Sequence, residues 1–193
     1  NIYDVDVLDA QGSGTLSDAI EGIQWVIYHA KEYNIRVLNV SLAANSTESW
    51  QTDPLCAAVR SAVAAGITVV VAAGNSGQNA ALQEVHGTIS SPGNDPSVIT
   101  VGAVNFRDTL ARSDDTVNNT SGLRVADNLL KPDLVAPGNK LVSAAATKVS
   151  PGTLSWNFLA SNYTANLVTP LGITQTYLET QMMMSGTSVS APV

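Results

Sequence analysis

Apolar positions along the chain follow two different periods in turn. Apolar and acidic residues alternate over 3–8, which predicts a strand, and apolar residues recur every three or four positions over 16–31, which predicts an amphipathic helix. A short apolar run at 37–42 predicts a second strand. Uninterrupted β-branched runs at 67–73 and 98–104 are typical of strands buried on both faces.

Polar residues mark the ends of the two predicted helices. Thr15 followed by Asp18 is a typical helix start, and Asp53 before Pro54 provides a cap and a first-turn proline for a second helix that ends at Gly66. Buried strands that alternate with helices favour a parallel sheet covered by helices. The predicted fold class is therefore α/β, with three layers, a mostly parallel sheet and helices on both faces. Sites in such sheets gather where loops leave the carboxyl ends of strands.

Composition excludes several classes of function. The 193 residues are 45% hydrophobic and 13% charged with a net charge of −7, so the chain is not disordered and lacks the basic surface that nucleic-acid binding requires. No apolar run approaches the roughly 20 residues that span a bilayer, so we expect a soluble chain without a membrane span. The single cysteine, Cys56, shares a predicted helix face with Val59 and Val63. This pattern indicates a small buried side chain rather than a reactive thiol.

The segment 146–181 differs from the rest of the chain. It is rich in Ser, Thr and Asn and carries the aromatic residues Trp156, Phe158, Tyr163 and Tyr177. Linkers seldom carry that many aromatic residues, so we expect a long, ordered excursion.

Two short motifs place chemically useful groups at the expected edge of the sheet. Ser188 lies among small residues, and Pro192, four positions later, is tolerated only in the first turn of a helix. The Ser188 hydroxyl is therefore expected at a helix N-terminus, where free N–H groups can stabilise an oxyanion. Asn75 directly follows a buried strand, where its amide could donate to the same oxyanion. Ser188 by itself is better explained as part of a capped helix start, and a turn by itself is enough to explain Asn75.

Taken together, these motifs resemble those of the subtilisin-like serine endopeptidases, the subtilases. Residues 186–192 resemble the family's nucleophile motif, and residues 72–75 resemble its oxyanion-asparagine motif. Further matches follow in the family's order. Residues 7–14 and 39–42 resemble the two sides of the substrate cleft, residues 92–93 with 96–103 resemble the segment that closes the specificity pocket, and residues 131–138 resemble a family turn.

The resemblance implies peptide-bond hydrolysis with Ser188 as the nucleophile and Asn75 as the oxyanion donor, joined by the Ser188 N–H. It also implies flanking strands that bind an extended polypeptide and a pocket for the residue before the cut. The substrate-binding residues are then Gly12, Ser13, Gly14, Ser41, Leu42, Ala43, Ala72, Ala73, Gly74, Pro92, Gly93, Gly186 and Thr187. The family usually has Gly-Gly where this chain has Ala43-Ala44, which changes how closely a backbone can approach there.

The family's catalytic Asp and His are expected upstream of Asn1. Asp9 fits the cleft loop better than the family's Asp motif, and His86 follows the oxyanion asparagine instead of preceding it, so a surface turn is its better explanation. His29 lies on the polar part of the first helix, where a solvated histidine is expected. We therefore expect residues 1–193 to be the central to C-terminal part of one catalytic domain, incomplete at both ends, with 146–181 inserted before the nucleophile strand. The missing N-terminal part is the expected intramolecular partner, and the protein is expected to be secreted.

Other functional classes remain open at this point. A catalytically inactive, subtilase-like peptide-binding module would keep the same cleft without a working triad. A dinucleotide-binding domain would explain Gly12 and Gly14 after a strand, but the third glycine and the acidic residue of that motif are missing. The chemistry requires no cofactor. Structural calcium is common in the family, but the acidic residues offer no dedicated loop in which to place it, and solvated carboxylates explain Asp4, Asp6, Asp114 and Asp115.

Overall fold

A computed structural model describes residues 1–9, 11–118, 129–145, 147–150, 153–156, 158–168 and 181–193. Within these residues the helices are α1 (Leu16–His29), α2 (Pro54–Ala64), α3 (Phe158–Asn162) and α4 (Thr187–Ser190), with a 3-10 helix at Thr164–Asn166. The strands are β1 (Val37–Val40), β2 (Thr68–Ala72), β3 (Ile99–Asn105), β4 (Thr116–Val117), β5 (Leu134–Pro137), β6 (Leu141–Ala144), β7 (Thr147–Ser150), β8 (Thr153–Trp156), β9 (Leu167–Val168) and β10 (Gln181–Met184). None of the described helices is long and apolar enough to cross a membrane.

The main sheet is built from parallel strands in the order β1-β2-β3-β5, with the short β4 antiparallel to β3. Successive residues of a strand point to opposite faces. Val69 and Val71 of β2 accordingly pack into the core with α1 and α2, whereas Ala72 packs against Ala191 at the end of α4. The predicted three-layer α/β fold with a mostly parallel sheet is confirmed.

Both predicted helix starts are confirmed. Thr15 and Asp18 form a capping box, in which the Thr15 hydroxyl accepts from the Asp18 N–H and the Asp18 carboxylate accepts from the Thr15 N–H. Asp53 caps α2 by accepting two of its first N–H groups, and Pro54 occupies the first turn. Gly66 follows α2 with a φ of 86°. These starts were predictable because each is a local arrangement of a few neighbouring residues.

The strand predicted at residues 3–8 is absent from the structure. A strand exists only where two backbones pair, and this segment joins no sheet among the described residues. It lies instead against α1: a Cβ added to Gly22 would be 2.5 Å from Val7 Cγ1, and one added to Gly14 would collide with the Val7 carbonyl oxygen. The alternating pattern predicted an extended segment with one face inward. It contains no information on whether another strand lies beside that segment to pair with it.

A second, antiparallel sheet precedes α4. Its strand order is β6-β10-β9, and β7 pairs with β8 in a separate hairpin. The predicted excursion 146–181 therefore contains regular elements where it is described, while residues 169–180 lie outside the described part. Met182 of the central strand β10 is buried with Ala145 and Ala160. This packing fixes the strand that leads directly into Ser188.

Cys56 is expected to be inert in the folded chain. Its side chain is fully buried, and burial raises the pKa of the thiol to about 12. Since only the thiolate reacts, iodoacetamide at pH 8 should modify the folded chain at least about 10³-fold more slowly than the urea-unfolded chain. The two rates can be followed by intact mass, and rates within tenfold of each other would contradict the burial of Cys56.

Candidate functional site

The two motifs that suggested chemistry lie next to each other in the fold. The Thr187 N–H donates to Asn75 Oδ1 at 2.9 Å, and the Thr187 hydroxyl lies 3.2 Å from the same oxygen. The hydroxyl oxygen of Thr187 in turn accepts from the Gly74 N–H at 3.1 Å. Three hydrogen bonds thus join the residues after β2 to the start of α4. Asn75 and Thr187 are 112 positions apart in the sequence.

Two glycines allow this close approach. Gly186 has a φ of 150° and precedes α4, and a Cβ added to it would be 3.3 Å from Asn75 Nδ2. Its N–H donates to the Gly138 carbonyl oxygen at 2.8 Å. Gly138 is buried, and a Cβ there would collide with Ser190 Oγ and lie 2.7 Å from Ala103 Cβ. The short helix α4 can therefore rest on β3 and β5 only because position 138 lacks a side chain.

Thr187 fixes the orientation of the Asn75 amide. A backbone N–H can only donate, so the Asn75 atom that faces Thr187 N must be the oxygen, and the NH₂ group must be on the other side. Asn75 is exposed, and its Nδ2 has no hydrogen-bond acceptor in the described part of the chain. This geometry presents a free, preoriented amide donor beside the first turn of α4.

Ser188 is held to the end of β1 through its backbone. The Ser41 hydroxyl donates to the Ser188 carbonyl oxygen at 2.8 Å, and Asn39 Nδ2 donates to the Ser41 hydroxyl at 2.9 Å. Ser188 itself is half-buried in the first turn of α4. The predicted nucleophile, the predicted oxyanion donor and one predicted cleft strand therefore meet at the carboxyl ends of β1 and β2.

The predicted pocket segments also lie side by side. The Ser90 N–H donates to the Ala73 carbonyl oxygen at 3.2 Å, and a Cβ added to Gly74 would collide with Ser90 Oγ. A Cβ on Gly93 would lie 2.9 Å from the Ala72 carbonyl oxygen. Residues 72–74 and 92–93, the two predicted pocket segments, are thus in direct contact.

Ala43 and Ala44 fit their positions without strain. Neither residue has a positive φ. Ala44 pairs with Ser91 in an antiparallel bridge, with N···O distances of 2.8 and 3.2 Å. Residues 41–43, which are predicted to flank the cleft, are therefore connected directly to the segment that carries Pro92 and Gly93.

The loop at Gly12–Gly14 stands apart from this cluster. Asp9 builds the loop, since its carboxylate accepts from the Gln11 and Ser13 N–H groups at 2.9 Å each. No hydrogen bond joins the loop to Asn75 or Ser188 among the described residues. Together with α1 it lines a cavity of about 720 Å³ that includes neither of those two residues in its wall.

Both histidines are engaged away from Ser188. The His29 ring stacks on Trp25 with centroids 4.3 Å apart, and its Nδ1 lies 2.9 Å from the Trp25 carbonyl oxygen. His86 is exposed, and its Nε2 lies 3.4 Å from Glu84. Neither set of contacts includes Ser188. The described residues also contain no group of three or more His, Cys, Asp or Glu side chains that could hold a metal ion.

Sequence reasoning assigned Thr187 only to substrate binding and overlooked the Ser41 hydroxyl and Gly138 as parts of the site's frame. The only available signal was their position inside matched motifs. Their bonds connect segments that are far apart in sequence, which a local pattern cannot reveal.

The chain is similar in sequence and in fold to known proteins. The profile of the Subtilase family (Peptidase_S8) matches residues 1–193. Serine protease AprX of Bacillus subtilis (strain 168) is 41% identical over 149 residues, which are 74% of this chain and 32% of AprX. A subtilisin-like protease of Coccidioides posadasii (strain C735) is 35% identical over 173 residues, 86% of this chain and 36% of that protein. The crystal structure of a cold-adapted subtilisin-like serine proteinase superposes with a TM-score of 0.55 at 25% identity, covering 96% of this chain and 47% of the other.

The chain therefore belongs to the subtilase family of subtilisin-like serine proteases. It spans about a third of the length of the two curated relatives and about half of the solved structure.

Proposed function

We propose that this chain carries the nucleophile and the oxyanion hole of a serine endopeptidase. The observation that supports the proposal is the hydrogen-bonded contact between Asn75 and Thr187, the residue directly before Ser188. That contact brings the Asn75 amide to the residue next to Ser188, which supports an arrangement in which the amide, the Ser188 N–H and the Ser188 hydroxyl act on one substrate carbonyl. Peptide-bond hydrolysis through an acyl-enzyme uses such a nucleophile and such oxyanion donors together with a general base.

In the proposed reaction, Ser188 Oγ attacks the scissile carbonyl carbon, and the carbonyl oxygen takes up the negative charge. Asn75 Nδ2 and the Ser188 N–H donate to that oxygen. The general base takes the Ser188 hydroxyl proton during the attack and gives it to the amine as the tetrahedral intermediate collapses. This step leaves an acyl group on Ser188, which water hydrolyses. His29 and His86 are held elsewhere, so we assign the general base and its orienting carboxylate to residues outside these 193.

The proposed substrate is a polypeptide in an extended conformation. Residues 12–14 and 41–43 would pair with its backbone from two sides. Residues 72–74 and 92–93 would form the pocket for the side chain before the cut. The proposal includes a location outside the cell, with which the net charge of −7 is compatible.

The proposal is tested by hydrolysis of a quenched fluorescent peptide library by the enzyme that contains this chain, expressed with its whole catalytic domain. Ser188→Ala should reduce cleavage to the uncatalysed background while the fold is retained in circular dichroism. The matched control Ser17→Ala, on the exposed side of α1, should cleave like the unsubstituted enzyme. Equal activity in Ser188→Ala would refute the assignment.

An inactive peptide-binding module is the second candidate, because both histidines of the chain are engaged elsewhere. It predicts that the same enzyme preparation binds library peptides without cleaving them, and that Ser188→Ala binds them equally well. Fluorescence anisotropy with the uncleaved peptides separates the two proposals.

A further inference from the structure

Residues 91–95, here called the pocket loop, include the proposed pocket residues Pro92 and Gly93, and their polar side chains are buried. Ser91, Asn94 and Asp95 are 1%, 7% and 0% exposed, so their polar side chains face the interior. Buried polar groups are costly unless they are hydrogen-bonded. The partners of these side chains therefore determine where Pro92 and Gly93 lie.

Two anchors fix the far part of the pocket loop. The Thr100 hydroxyl donates to the Gly93 carbonyl oxygen at 2.7 Å. Arg60 donates to the Asp95 carboxylate at 2.5 Å. The near end has different partners: Ser91 pairs through its backbone with Ala44 and through its hydroxyl with Asp53.

Asp53 caps α2 and also accepts a hydrogen bond from the pocket loop. Its Oδ1 accepts from the Leu55 and Cys56 N–H groups of its own helix at 2.9 and 3.1 Å, and also from the Ser91 hydroxyl, 38 residues away, at 3.0 Å. The carboxylate is 3% exposed and has no ion pair among the described residues. Its charge is balanced by donors alone, including the start of α2.

The ionisation of Asp53 follows from these donors. Burial by itself would raise the pKa of the carboxyl, but hydrogen bonds from Ser46, the Cys56 N–H, Ser91 and the Leu55 N–H outweigh it and hold the pKa below its ordinary value. The group is therefore a carboxylate at neutral pH, which can only accept. Ser91 must then act as the donor in their contact.

We infer that Asp53 is a positioning residue of the endopeptidase, which sets the pocket wall through Ser91. The inference rests on the proposed function. Ser91 connects the pocket loop to residues 41–43, because its side chain is held by Asp53 while its backbone pairs with Ala44, directly after that segment. Loss of the Asp53–Ser91 bond loosens this connection at Ser91, whereas Gly93 and Asp95 keep their hydrogen bonds to Thr100 and Arg60.

Ser91→Ala tests this role because it removes the bond to Asp53 but leaves the cap of α2 intact. For peptides with a large side chain before the cut, KM should rise by about three- to tenfold, the worth of one hydrogen bond, with kcat nearly unchanged. For peptides with glycine at that position, which do not touch the wall, KM should stay the same. Asp53→Ser keeps a capping hydroxyl that is too short to reach Ser91 and should give the same selective rise.

The double variant Asp53→Ser/Ser91→Ala should raise KM no further than Ser91→Ala alone, since that single variant already loses the bond to Asp53 together with the 3.7 Å contact of the Ser91 hydroxyl with Cys56 Sγ. Ser61→Ala is the matched control: its hydroxyl donates to the Ala57 carbonyl oxygen on the exposed side of α2, and its KM values should be unchanged. An equal KM change for large and glycine peptides, or additive effects in the double variant, would overturn the inference.

Hydrogen exchange of the Ala44 amide provides a readout that does not depend on activity. That N–H donates to the Ser91 carbonyl oxygen, so its exchange in the enzyme expressed with its whole catalytic domain should be at least about threefold faster in Ser91→Ala and unchanged in Ser61→Ala. If the enzyme proves inactive, the proposed function fails, while faster exchange still supports the inference that the Ser91 hydroxyl stabilises the pairing of Ser91 with Ala44. Unchanged exchange in Ser91→Ala refutes that inference.

Discussion

Asn75→Ala is expected to reduce kcat by about 10²- to 10³-fold, the size of effect known for the oxyanion asparagine of subtilisin itself. The amide donates to an oxygen that becomes negative only in the transition state. KM should therefore change little while kcat falls. Steady-state kinetics on a single peptide substrate separate the two constants.

Asn75→Asp and Asn79→Ala complete this test. Asn75→Asp keeps an oxygen for the two Thr187 donors but loses the NH₂ group, so it should be at least as slow as Asn75→Ala. Asn79 lies in the same loop, and in the described part of the chain its side chain bonds to nearby Ala81 and Gln83, so Asn79→Ala should retain the unsubstituted kcat. A kcat within threefold of the unsubstituted enzyme for Asn75→Ala would exclude Asn75 as the oxyanion donor.

Gly138→Ala is expected to destabilise the fold by about 3 kcal/mol, the upper part of the range for overpacking a buried site. The new methyl group would collide with Ser190 Oγ and lie 2.7 Å from Ala103 Cβ and 3.0 Å from the Gly186 carbonyl oxygen. Because α4 rests directly on this position, the helix must move away from β3 and β5. Thermal unfolding should show a Tm lower by about 10 °C.

The double variant Gly138→Ala/Ser190→Ala identifies the cause. Removal of the Ser190 hydroxyl relieves the closest overlap but leaves the contacts with Ala103 and Gly186, so about half of the lost stability should return. Ser190→Ala alone should cost much less, since its hydroxyl makes one long bond of 3.3 Å to the Gly186 carbonyl oxygen. An unchanged Tm in Gly138→Ala would show that α4 does not pack as described.

Local signals explain what could be predicted of the fold. The buried run at 67–73 corresponds to β2, and Thr15 and Asp53 cap the helices at the expected positions. Each of these features depends on residues close in sequence. The strand at 3–8 was wrong because a strand also needs a paired neighbour, which the pattern of one segment does not contain.

The same distinction applies to the candidate site. Ser188 and Asn75 could be singled out because each lies in a short motif at an element boundary. The roles of Thr187 in orienting the amide and of Ser41 in holding the Ser188 backbone arise from bonds that span 112 and 147 positions. Such contacts follow from the order of strands in the sheet, so they became visible only in the fold.

Covalent labelling by a fluorophosphonate tests the central claim, that Ser188 is the nucleophile, most directly. The enzyme that contains this chain should form a single adduct, which peptide mass spectrometry should locate on Ser188. Labelling should disappear in Ser188→Ala and persist in Ser17→Ala. An adduct on a different serine, or unchanged labelling of Ser188→Ala, would contradict the account.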